Sequence, residues 1–389
     1  MKRLSVLPVL SLLLSVCIPQ ATYAEEKSID LVENAKSALL MEVDTGTIIY
    51  EKNSEEQLSP ASMTKIMTLL LIMEALENGK LQLNEKVRTS EYAASMGGSQ
   101  IFLEEGEEMT VDELLQAIAI GSANDASVAM AERIAGSEKA FVQMMNDRAK
   151  QLGLKNTKFQ NSTGLPTEDH YSSAKDMAIL ARELLKYDNI TKYTGQYESY
   201  LREGTKKKFW LVNTNRLVKF YPGVDGLKTG FTNEAKYCLT ATAKRDGMRL
   251  IAVIFGAPTP KDRNRQISKM FDYAFSQFET KPIYQQGEIV GDVIVQKGEK
   301  RKVKATTDRS VSILVKKGEK VENIEKEITF QTVKAPVKKG ETIGKITISQ
   351  NGKPISEQPI VAKETVPIAS WWTLYKRSFG NFTKIEPNS

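Results

Sequence analysis

Residues 59–76 read SPASMTKIMTLLLIMEAL, the most informative stretch of the chain. Serine followed by proline is a helix start, and the apolar run behind it is long enough to bury a helix on nearly all sides. Ser62 and Lys65 stand three residues apart, so their polar groups share one face in the first turn. Burial lowers the pKa of a lysine, and a neutral Lys65 could take the proton of Ser62. The stretch predicts a buried helix carrying a serine nucleophile that needs no histidine.

A second motif, Ser122-Ala-Asn124, begins 60 residues after Ser62. It falls between two helical patterns, and a loop there can present the Ser122 hydroxyl and the Asn124 amide to one cleft. In isolation, Ser122-Ala-Asn124 is also typical of a capped helix start. In the same way, Ser62 and Lys65 alone are typical of a helix cap followed by a surface lysine.

The third motif, Lys228-Thr-Gly230, begins 106 residues after Ser122 and lies on a predicted strand. Lys228 and Thr229 offer a charge and a hydroxyl for a carboxylate. Gly230 lets a substrate backbone approach closely, as an added strand would. A second Ser-x-x-Lys at Ser172–Lys175 is better explained as a helix cap, and a second Ser-x-Asn at Ser349–Asn351 as part of a hairpin turn.

The elements around these motifs predict an α+β domain. Residues 37–50 indicate a hairpin about Asp44-Thr45-Gly46, and strands return near 226–230, 237–243 and 250–256. Helical patterns between them cover 111–120, 126–135, 138–152 and 174–185, and another follows at 263–278. This order predicts an antiparallel sheet whose N-terminal and C-terminal strands meet, with a helical portion inserted between them.

The last third of the chain differs from the rest in its sequence pattern. After residue 281, β-prone runs alternate with three Lys-Gly-Glu turns and with Asn351-Gly352, which predicts a small all-β domain. From Ile368 to Ile385, Trp371, Tyr375, Phe379 and Phe382 recur at helical spacing among basic residues. Such an amphipathic, tryptophan-bearing helix can lie in a membrane interface, and docking on the β domain is the alternative.

The N-terminus predicts export. Residues 1–24, MKRLSVLPVLSLLLSVCIPQATYA, combine a basic start, a short apolar run and a small-residue end before charged residues, the layout of a signal peptide. Cleavage there leaves Cys238 as the only cysteine, so no internal disulfide is expected. We therefore expect an exported protein at the outer face of the cytoplasmic membrane, or extracellular.

Composition excludes several function classes. One histidine and two cysteines disfavour histidine-rich zinc sites and cysteine-cluster metal sites, and we expect neither metal nor cofactor. Residues 281–389 hold 20 basic and 12 acidic side chains, an excess that suits an anionic membrane or cell-wall surface. No basic–aromatic interleaving or nucleic-acid motif is present, so nucleic acid is not an expected partner.

Together the three motifs resemble the signature of penicillin-binding proteins and class A β-lactamases. With ASMTKIMT, GSANDASVAMAE, LGLKNTKF, YSSAKDMA, VDGLKTGFT and GMRLIAV, the chain resembles low-molecular-weight D-alanyl-D-alanine carboxypeptidases of the penicillin-binding protein 5 type over nearly its whole length. It is most similar to those of endospore-forming Gram-positive bacteria, including a sporulation-associated one. We predict a signal peptide at 1–24, a catalytic domain at 25–280, an all-β domain at 281–365 and a membrane-association helix at 366–389.

The resemblance implies the roles of individual residues. Ser62 would attack the carbonyl between the last two D-alanines of a peptidoglycan stem peptide, with Lys65 as base. Ser122 would relay the proton to the leaving amine. Substrate binding would fall to Asn124, Lys228, Thr229, Gly230 and Arg249. Backbone N–H groups of Ser62 and Phe231 would form the oxyanion hole, and β-lactam antibiotics would be covalent inhibitors.

Three alternatives stay open at this stage. A class A β-lactamase would need a glutamate four residues before Asn161, where the chain has Thr157. A non-hydrolytic penicillin sensor or peptidoglycan-binding protein would keep the motifs without turnover. A transpeptidase would use the same serine, since water and an amine compete for one acyl-enzyme. The sequence assigns no catalytic role to His170 or Cys238.

Overall fold

The computed structural model describes residues 30–382, so the predicted signal peptide lies outside the described residues. The first domain contains strands β1 (Ser37–Glu42), β2 (Ile48–Lys52), β3 (Lys86–Arg88), β4 (Glu108–Thr110), β5 (Glu198–Leu201), β6 (Phe209–Val212), β7 (Val224–Thr232), β8 (Lys236–Arg245) and β9 (Met248–Ala257). Its helices are α1 (Lys65–Glu77), α2 (Glu91–Ala94), α3 (Val111–Gln116), α4 (Asn124–Ala135), α5 (Glu138–Gln151), α6 (Ala174–Leu184), α7 (Ile190–Thr194), α8 (Leu217–Phe220) and α9 (Pro260–Gln277).

The central sheet is antiparallel, with strand order β2-β1-β9-β8-β7. The N-terminal strand pairs with β9, which confirms the predicted meeting of the two ends of the domain. Side chains alternate across the sheet, so Leu39 and Met41 join one core and Ala38 and Leu40 join the other. The inserted helices, α1 and α6 among them, cover the first face and α9 covers the second.

The segment that begins at Ser59-Pro60 is helical, as predicted, but its first turn is not α-helical. Residues Ala61–Thr64 form a 3-10 turn, and α1 begins at Lys65. Ala61 has a φ of 46°, a left-handed conformation that is costly for a residue with a side chain. The predicted helix at 111–120 also departs from α geometry, because α3 ends at Gln116 and a wider π turn continues to Gly121. Both irregular turns lie next to a predicted site residue.

The second domain is all-β, as predicted. Its strands are β10 (Phe278–Tyr284), β11 (Ile289–Gln296), β12 (Lys302–Thr307), β13 (Val311–Lys316), β14 (Ile324–Phe330), β15 (Val333–Lys334), β16 (Thr342–Gln350) and β17 (Lys353–Ala362). Six of them form one sheet, and β10 pairs with β13. Asn351 and Gly352, both at positive φ, make the turn between β16 and β17.

Polar contacts join the second domain to the first. The turn after β1 presents Asp44, whose carboxylate accepts a hydrogen bond from the Ser312 hydroxyl at 2.7 Å. The side-chain amide of Gln358 donates to the Asp44 carbonyl at 2.9 Å, and Lys186 pairs with Asp308 at 2.6 Å. A final helix, α10 (Trp371–Phe382), follows the β domain. Within residues 30–382, no helix has the length and apolarity that crossing a bilayer requires.

Candidate active site

The 3-10 turn places the Ser62 hydroxyl beside the side chain of Lys65. The Lys65 Nζ lies 3.2 Å from Ser62 Oγ and 2.6 Å from each of two carbonyl oxygens, Asn124 Oδ1 and Thr163 O. Lys65 is fully buried, and no ion pair joins it to a carboxylate among residues 30–382. These three neighbours therefore account for the polar surroundings of its amine.

This environment favours the neutral amine. Burial lowers the pKa of Lys65 well below its ordinary value, the charge of Lys228 lowers it further, and Asp125 opposes the shift. A neutral amine has two N–H donors and one lone pair. Because carbonyl oxygens can only accept, the two N–H groups point to Asn124 and Thr163, and the lone pair is left for the proton of Ser62. The arrangement suits proton abstraction from a serine hydroxyl without histidine.

A loop missed at the sequence level holds this turn in place. Asn161 Oδ1 accepts hydrogen bonds from the backbone N–H groups of Thr163 and Gly164 and from the Thr163 hydroxyl. Gly164 has a φ of 83°, and a Cβ there would lie 1.8 Å from the Ala61 carbonyl oxygen. Only glycine permits this contact. Asn161 and Gly164 are common loop residues, and nothing in their local sequence indicates that their loop reaches the nucleophile.

His170 supports the same turn from behind. Its Nδ1 accepts from the Gln160 N–H at 3.1 Å, so the other ring nitrogen carries the proton and donates to Thr64 Oγ1 at 2.8 Å. Burial lowers the pKa of His170 to about 4, which keeps the ring neutral at physiological pH. The single histidine of the chain therefore contacts the residue before Lys65 and does not face the serine.

The second motif lies where the π turn ends. Ser122 has a φ of 64° and is 3% exposed, a left-handed conformation that directs the chain from the turn into α4. Asn124 begins α4, and while its Oδ1 accepts from Lys65, its Nδ2 donates to the Gly97 carbonyl at 2.7 Å. The structure thus brings Asn124 to Lys65, and the Asn124 amide also holds the loop at Gly97 and Gly98.

The third motif lies on β7, the edge strand of the sheet next to the 3-10 turn. A Cβ at Gly230 would lie 2.6 Å from the Pro60 carbonyl oxygen, so the glycine allows the strand to pack against the nucleophile turn. Lys228 is 1% exposed, and its Nζ lies 3.3 Å from the Thr229 carbonyl oxygen. The Thr229 hydroxyl bonds that of Thr214 at 2.6 Å. Each member of the motif has a distinct local role.

The positive charge at β7 comes from Lys228 and from Arg263, which the sequence analysis missed. Burial, followed by the charge of Arg263, lowers the pKa of Lys228 to about 7. Arg263 lies in the first turn of α9, is 5% exposed, and donates two hydrogen bonds to Asn264 Oδ1. Among residues 30–382 no carboxylate forms an ion pair with either side chain. Two buried cations without a counterion form a site suited to an anionic group.

Arg249, predicted to help bind the carboxylate, is not brought to this site. In the sheet register Arg249 lies opposite Lys244, at the hairpin end of β9. Lys228 lies opposite Thr240, which in turn lies opposite Val253, four residues along β9 from Arg249. Four residues along a strand are about 13 Å. The Arg249 guanidinium instead binds both carboxylate oxygens of Asp225, at 2.8 and 2.9 Å. The resemblance at Gly-Met-Arg-Leu suggested this residue, whereas the register of β7, β8 and β9, which local sequence does not show, places Arg249 away from Lys228.

Two further residues complete the description. Phe231, predicted to supply a backbone donor, lies on β7; the residue is 50% exposed, and its ring stacks on that of Tyr237 with the centroids 4.4 Å apart. Cys238 is fully buried on β8 opposite Gly230, and burial raises the pKa of its thiol to about 11. A thiol that stays protonated is inert, so its environment assigns it no chemistry.

A serine–lysine pair with a buried lysine lies beside an edge strand, and Lys228 and Arg263 form no ion pair with a carboxylate among residues 30–382. This arrangement is typical of a serine hydrolase. Comparison with known families agrees with this class. The family described as D-alanyl-D-alanine carboxypeptidase matches residues 22–259, and the C-terminal domain of penicillin-binding protein 5 matches residues 278–367. The chain belongs to the D-alanyl-D-alanine carboxypeptidase family, and is therefore a peptidase.

Individual relatives match between 62% and 99% of the chain. It is 57% identical to the D-alanyl-D-alanine carboxypeptidase DacF of Bacillus subtilis, over 99% of this chain and 100% of that protein. The crystal structure of penicillin-binding protein 5 from Haemophilus influenzae covers 86% of this chain and 98% of its own, at 31% identity and a TM-score of 0.67. Penicillin-binding protein D2 of Listeria monocytogenes, solved in an ampicillin-bound form, covers 62% of this chain and 97% of its own, at 31% identity and a TM-score of 0.56.

Proposed function

We propose that the chain removes the terminal D-alanine from peptidoglycan stem pentapeptides through an acyl-enzyme on Ser62. The observation that carries this proposal is the position of Lys65 Nζ, 3.2 Å from the serine oxygen and 2.6 Å from each of two carbonyl oxygens. The carbonyls occupy the two N–H donors of a neutral amine and direct its lone pair toward the hydroxyl.

In the acylation step, Lys65 takes the Ser62 proton while the serine oxygen attacks the carbonyl carbon between the two D-alanines. The C–O bond forms, the C–N bond breaks, and D-alanine leaves after its nitrogen receives the proton, with Ser122 as the relay. Backbone N–H groups of Ser62 and Phe231 stabilise the oxyanion. Water then attacks the ester, so Ser62 is regenerated and a tetrapeptide is released.

The carboxylate of the terminal D-alanine fits the positive end of the site. Lys228 and Arg263 supply buried charge with no carboxylate partner in the described part of the chain, and the Thr229 hydroxyl lies on β7 beside Lys228. The substrate backbone would lie along β7 as an added antiparallel strand, since this edge is free of strand partners among the described residues. Asn124, held between Lys65 and Gly97, would contact the substrate amide.

The alternatives predict different contacts. In the structure the side chain of Thr157 bonds Asp176 and Ser172, and Asn161 holds the turn at Gly164. Neither supplies the carboxylate that would activate a deacylating water in a class A β-lactamase. The whole-chain similarity to a carboxypeptidase likewise supports peptide hydrolysis over penicillin sensing.

The test is the intact mass of the mature protein after exposure to a penicillin, beside Ser62→Ala, with a D-alanyl-D-alanine peptide assayed in parallel. We expect a covalent adduct that is lost in the variant and free D-alanine released by the wild type. An adduct without release would indicate a sensor or a transpeptidase. Folded protein that gives no adduct would refute the assignment of Ser62.

We further propose that α10 attaches the enzyme to the outer face of the cytoplasmic membrane. Trp371 and Trp372 are 66% and 63% exposed, and Tyr375 stacks on Trp371 at 5.2 Å. Arg377 fastens the other side of the helix by donating to the carbonyls of Gly298 and Glu299. The aromatic face is therefore presented outward on a basic domain, as interfacial helices require. Side chains beyond Arg377 lie outside the described part of the chain.

Vesicle binding tests this attachment. The mature protein should bind vesicles containing anionic lipid, and deletion of residues 371–389, which spares the β-domain residues Val366 and Ile368, should release it. Trp371→Ser with Trp372→Ser should weaken binding with the helix retained, and unchanged binding in both variants would refute the proposal.

Export through cleavage after Ala24 would be checked by the N-terminal sequence of the secreted protein. A role in sporulation follows only from the resemblance and would be checked by the time of expression.

A further inference from the structure

The hairpin of β5 and β6 presents an unusual surface next to the candidate site. Tyr200 and Trp210 are directly opposed in the antiparallel register and are 44% and 57% exposed. Glu198 lies on the same outward face, and its carboxylate accepts a hydrogen bond from the indole Nε1 of Trp210 at 3.1 Å. Lys208 completes this face, with its Nζ 4.0 Å from the centre of the Tyr200 ring. We call these four residues the hairpin platform.

The platform is rigidly supported. The inner face of the hairpin is apolar, with Leu201 and Leu211 almost fully buried. Arg202 binds Glu107 and the Ile101 carbonyl, which fixes the hairpin to the loop that also contacts Asn124. Exposed aromatic side chains held in one orientation bind a ligand at a low cost in conformational entropy. The surface is therefore suited to binding as well as to stabilising the hairpin.

The hairpin that carries the platform borders the proposed substrate site through its inner face and through the chain that follows β6. A Cβ at Gly121, the residue before Ser122, would lie 2.8 Å from the Leu211 side chain. Thr214, four residues after Trp210, bonds Thr229 on β7. The chain from Trp210 to Thr214 spans at most about 14 Å. A stem peptide has four residues between its point of attachment to the sugar and the scissile bond, and these span up to about 14 Å when extended.

We propose that the hairpin platform binds the glycan strand that carries the stem peptide, with a sugar ring packed on Trp210 and its hydroxyls bonded to Glu198 and Lys208. The inference rests on the proposed function, because the strand is identified through its peptide. The chemistry fits: an indole offers an apolar face to the C–H side of a sugar ring, while a carboxylate and an ammonium at its edge accept and donate hydrogen bonds. The platform thereby selects polymeric peptidoglycan over free peptide.

The decisive measurement compares two substrates of the same peptide sequence. One is pentapeptide-containing peptidoglycan with intact glycan strands, and the other is the free pentapeptide. Trp210→Ala should lower kcat/KM about tenfold on the polymer and leave the free peptide and penicillin acylation unchanged. Trp210→Phe should restore most of the loss. Phe330→Ala, at an exposed aromatic residue on β14 in the second domain, is the control and should have no effect on either substrate.

Two results would overturn the inference: equal losses on polymer and free peptide, or no loss on the polymer. A second measurement avoids any folding defect of the variant. Glycan strands stripped of their peptides should inhibit wild-type hydrolysis of the polymer and leave free-peptide hydrolysis unaffected. The absence of such inhibition would also count against the platform.

The proposed function can fail separately. If the wild type forms a penicillin adduct but releases D-alanine from neither substrate, hydrolysis is refuted. Glycan binding by the platform is then tested by a direct binding measurement. Peptide-free glycan strands titrated into Ser62→Ala should bind, and adding Trp210→Ala should abolish that binding. Failure of the strands to bind Ser62→Ala would reject the platform, and capture of another protein by this face would assign it a different partner.

Discussion

The two sides of the site are built in opposite ways. On the nucleophile side, hydrogen bonds fix the polar groups. Lys65 contacts three oxygen atoms, and Asn161 and His170 hold the 3-10 turn that carries Ser62. On the other side, Lys228 and Arg263 are buried with few partners and no counterion among the described residues. Proton transfer requires a fixed geometry, whereas capture of an anion requires charge that is not already neutralised. The contrast explains why Lys65 is suited to proton transfer and Lys228 to binding an anion, although both are buried lysines in one cleft.

The largest effect is expected when the fixed side is broken. Lys65→Met keeps the length of the side chain but removes the lone pair, so acylation by penicillin should fall by about a thousandfold or more. Acylation would be followed by adduct mass over time, with a thermal melt to verify folding. Lys175→Met, in the second Ser-x-x-Lys sequence, is the matched control, because Lys175 is a partly exposed lysine paired with Glu55. Near-normal acylation by Lys65→Met would remove Lys65 from its role as base.

Removing charge from the other side should have a smaller and more selective effect. Lys228→Met should lower kcat/KM for a D-alanyl-D-alanine peptide by about 10- to 100-fold, and much less for the same peptide with an amidated end. Because the pKa of Lys228 is about 7, its charge is lost as pH rises through that value, while the neutral fraction of Lys65 grows. The alkaline decline in kcat/KM should therefore disappear in the variant. Equal losses on both peptides would show that Lys228 does not bind the carboxylate.

Substitutions of Arg263 and Arg249 should have smaller effects, and these effects should differ between the two residues. Arg263→Gln should raise KM for the free-acid peptide about tenfold, because it removes a buried charge beside Lys228. Arg249→Gln should leave KM unchanged and lower the free energy of unfolding by about 1 kcal/mol through loss of the Asp225 pair. Steady-state kinetics and urea unfolding of both variants would decide. The reverse pattern would restore Arg249 to the site.

His170 should affect stability more than turnover at neutral pH. The folded protein keeps the ring neutral down to a pKa of about 4, whereas the unfolded chain binds its proton near 6.5. Between these values the unfolded state binds more protons, so acidification should cost on the order of 3 kcal/mol, beginning near pH 6.5 and complete near pH 4. His170→Gln should flatten this dependence in urea unfolding measured across that range. An unchanged profile would show that other groups dominate acid unfolding.

Much of the fold could be predicted from local pattern. The hairpin at 37–50, the helices between the motifs and the returning strands follow from apolar periodicity and turn residues, and the structure places them within a few residues. Local pattern did not predict the short elements β3 to β6, α2, α7 and α8, and it did not predict the two irregular turns. Ala61 and Ser122 both adopt left-handed backbone conformations, which no local preference of alanine or serine indicates. Tertiary contacts, such as that of Gly164 with the Ala61 carbonyl, impose them.

The sequence by itself determined which residues could do the chemistry: Ser62 and Lys65 at helical spacing, an amide at Asn124 and a lysine on a strand. These depend on short-range spacing, which the backbone converts directly into proximity. Only the tertiary structure decided what surrounds them. The Thr163 carbonyl lies 98 residues from Lys65 in the chain, and Arg263 reaches Lys228 from a helix on the far face of the sheet. Long-range packing and strand register select such neighbours, and no local pattern carries that information.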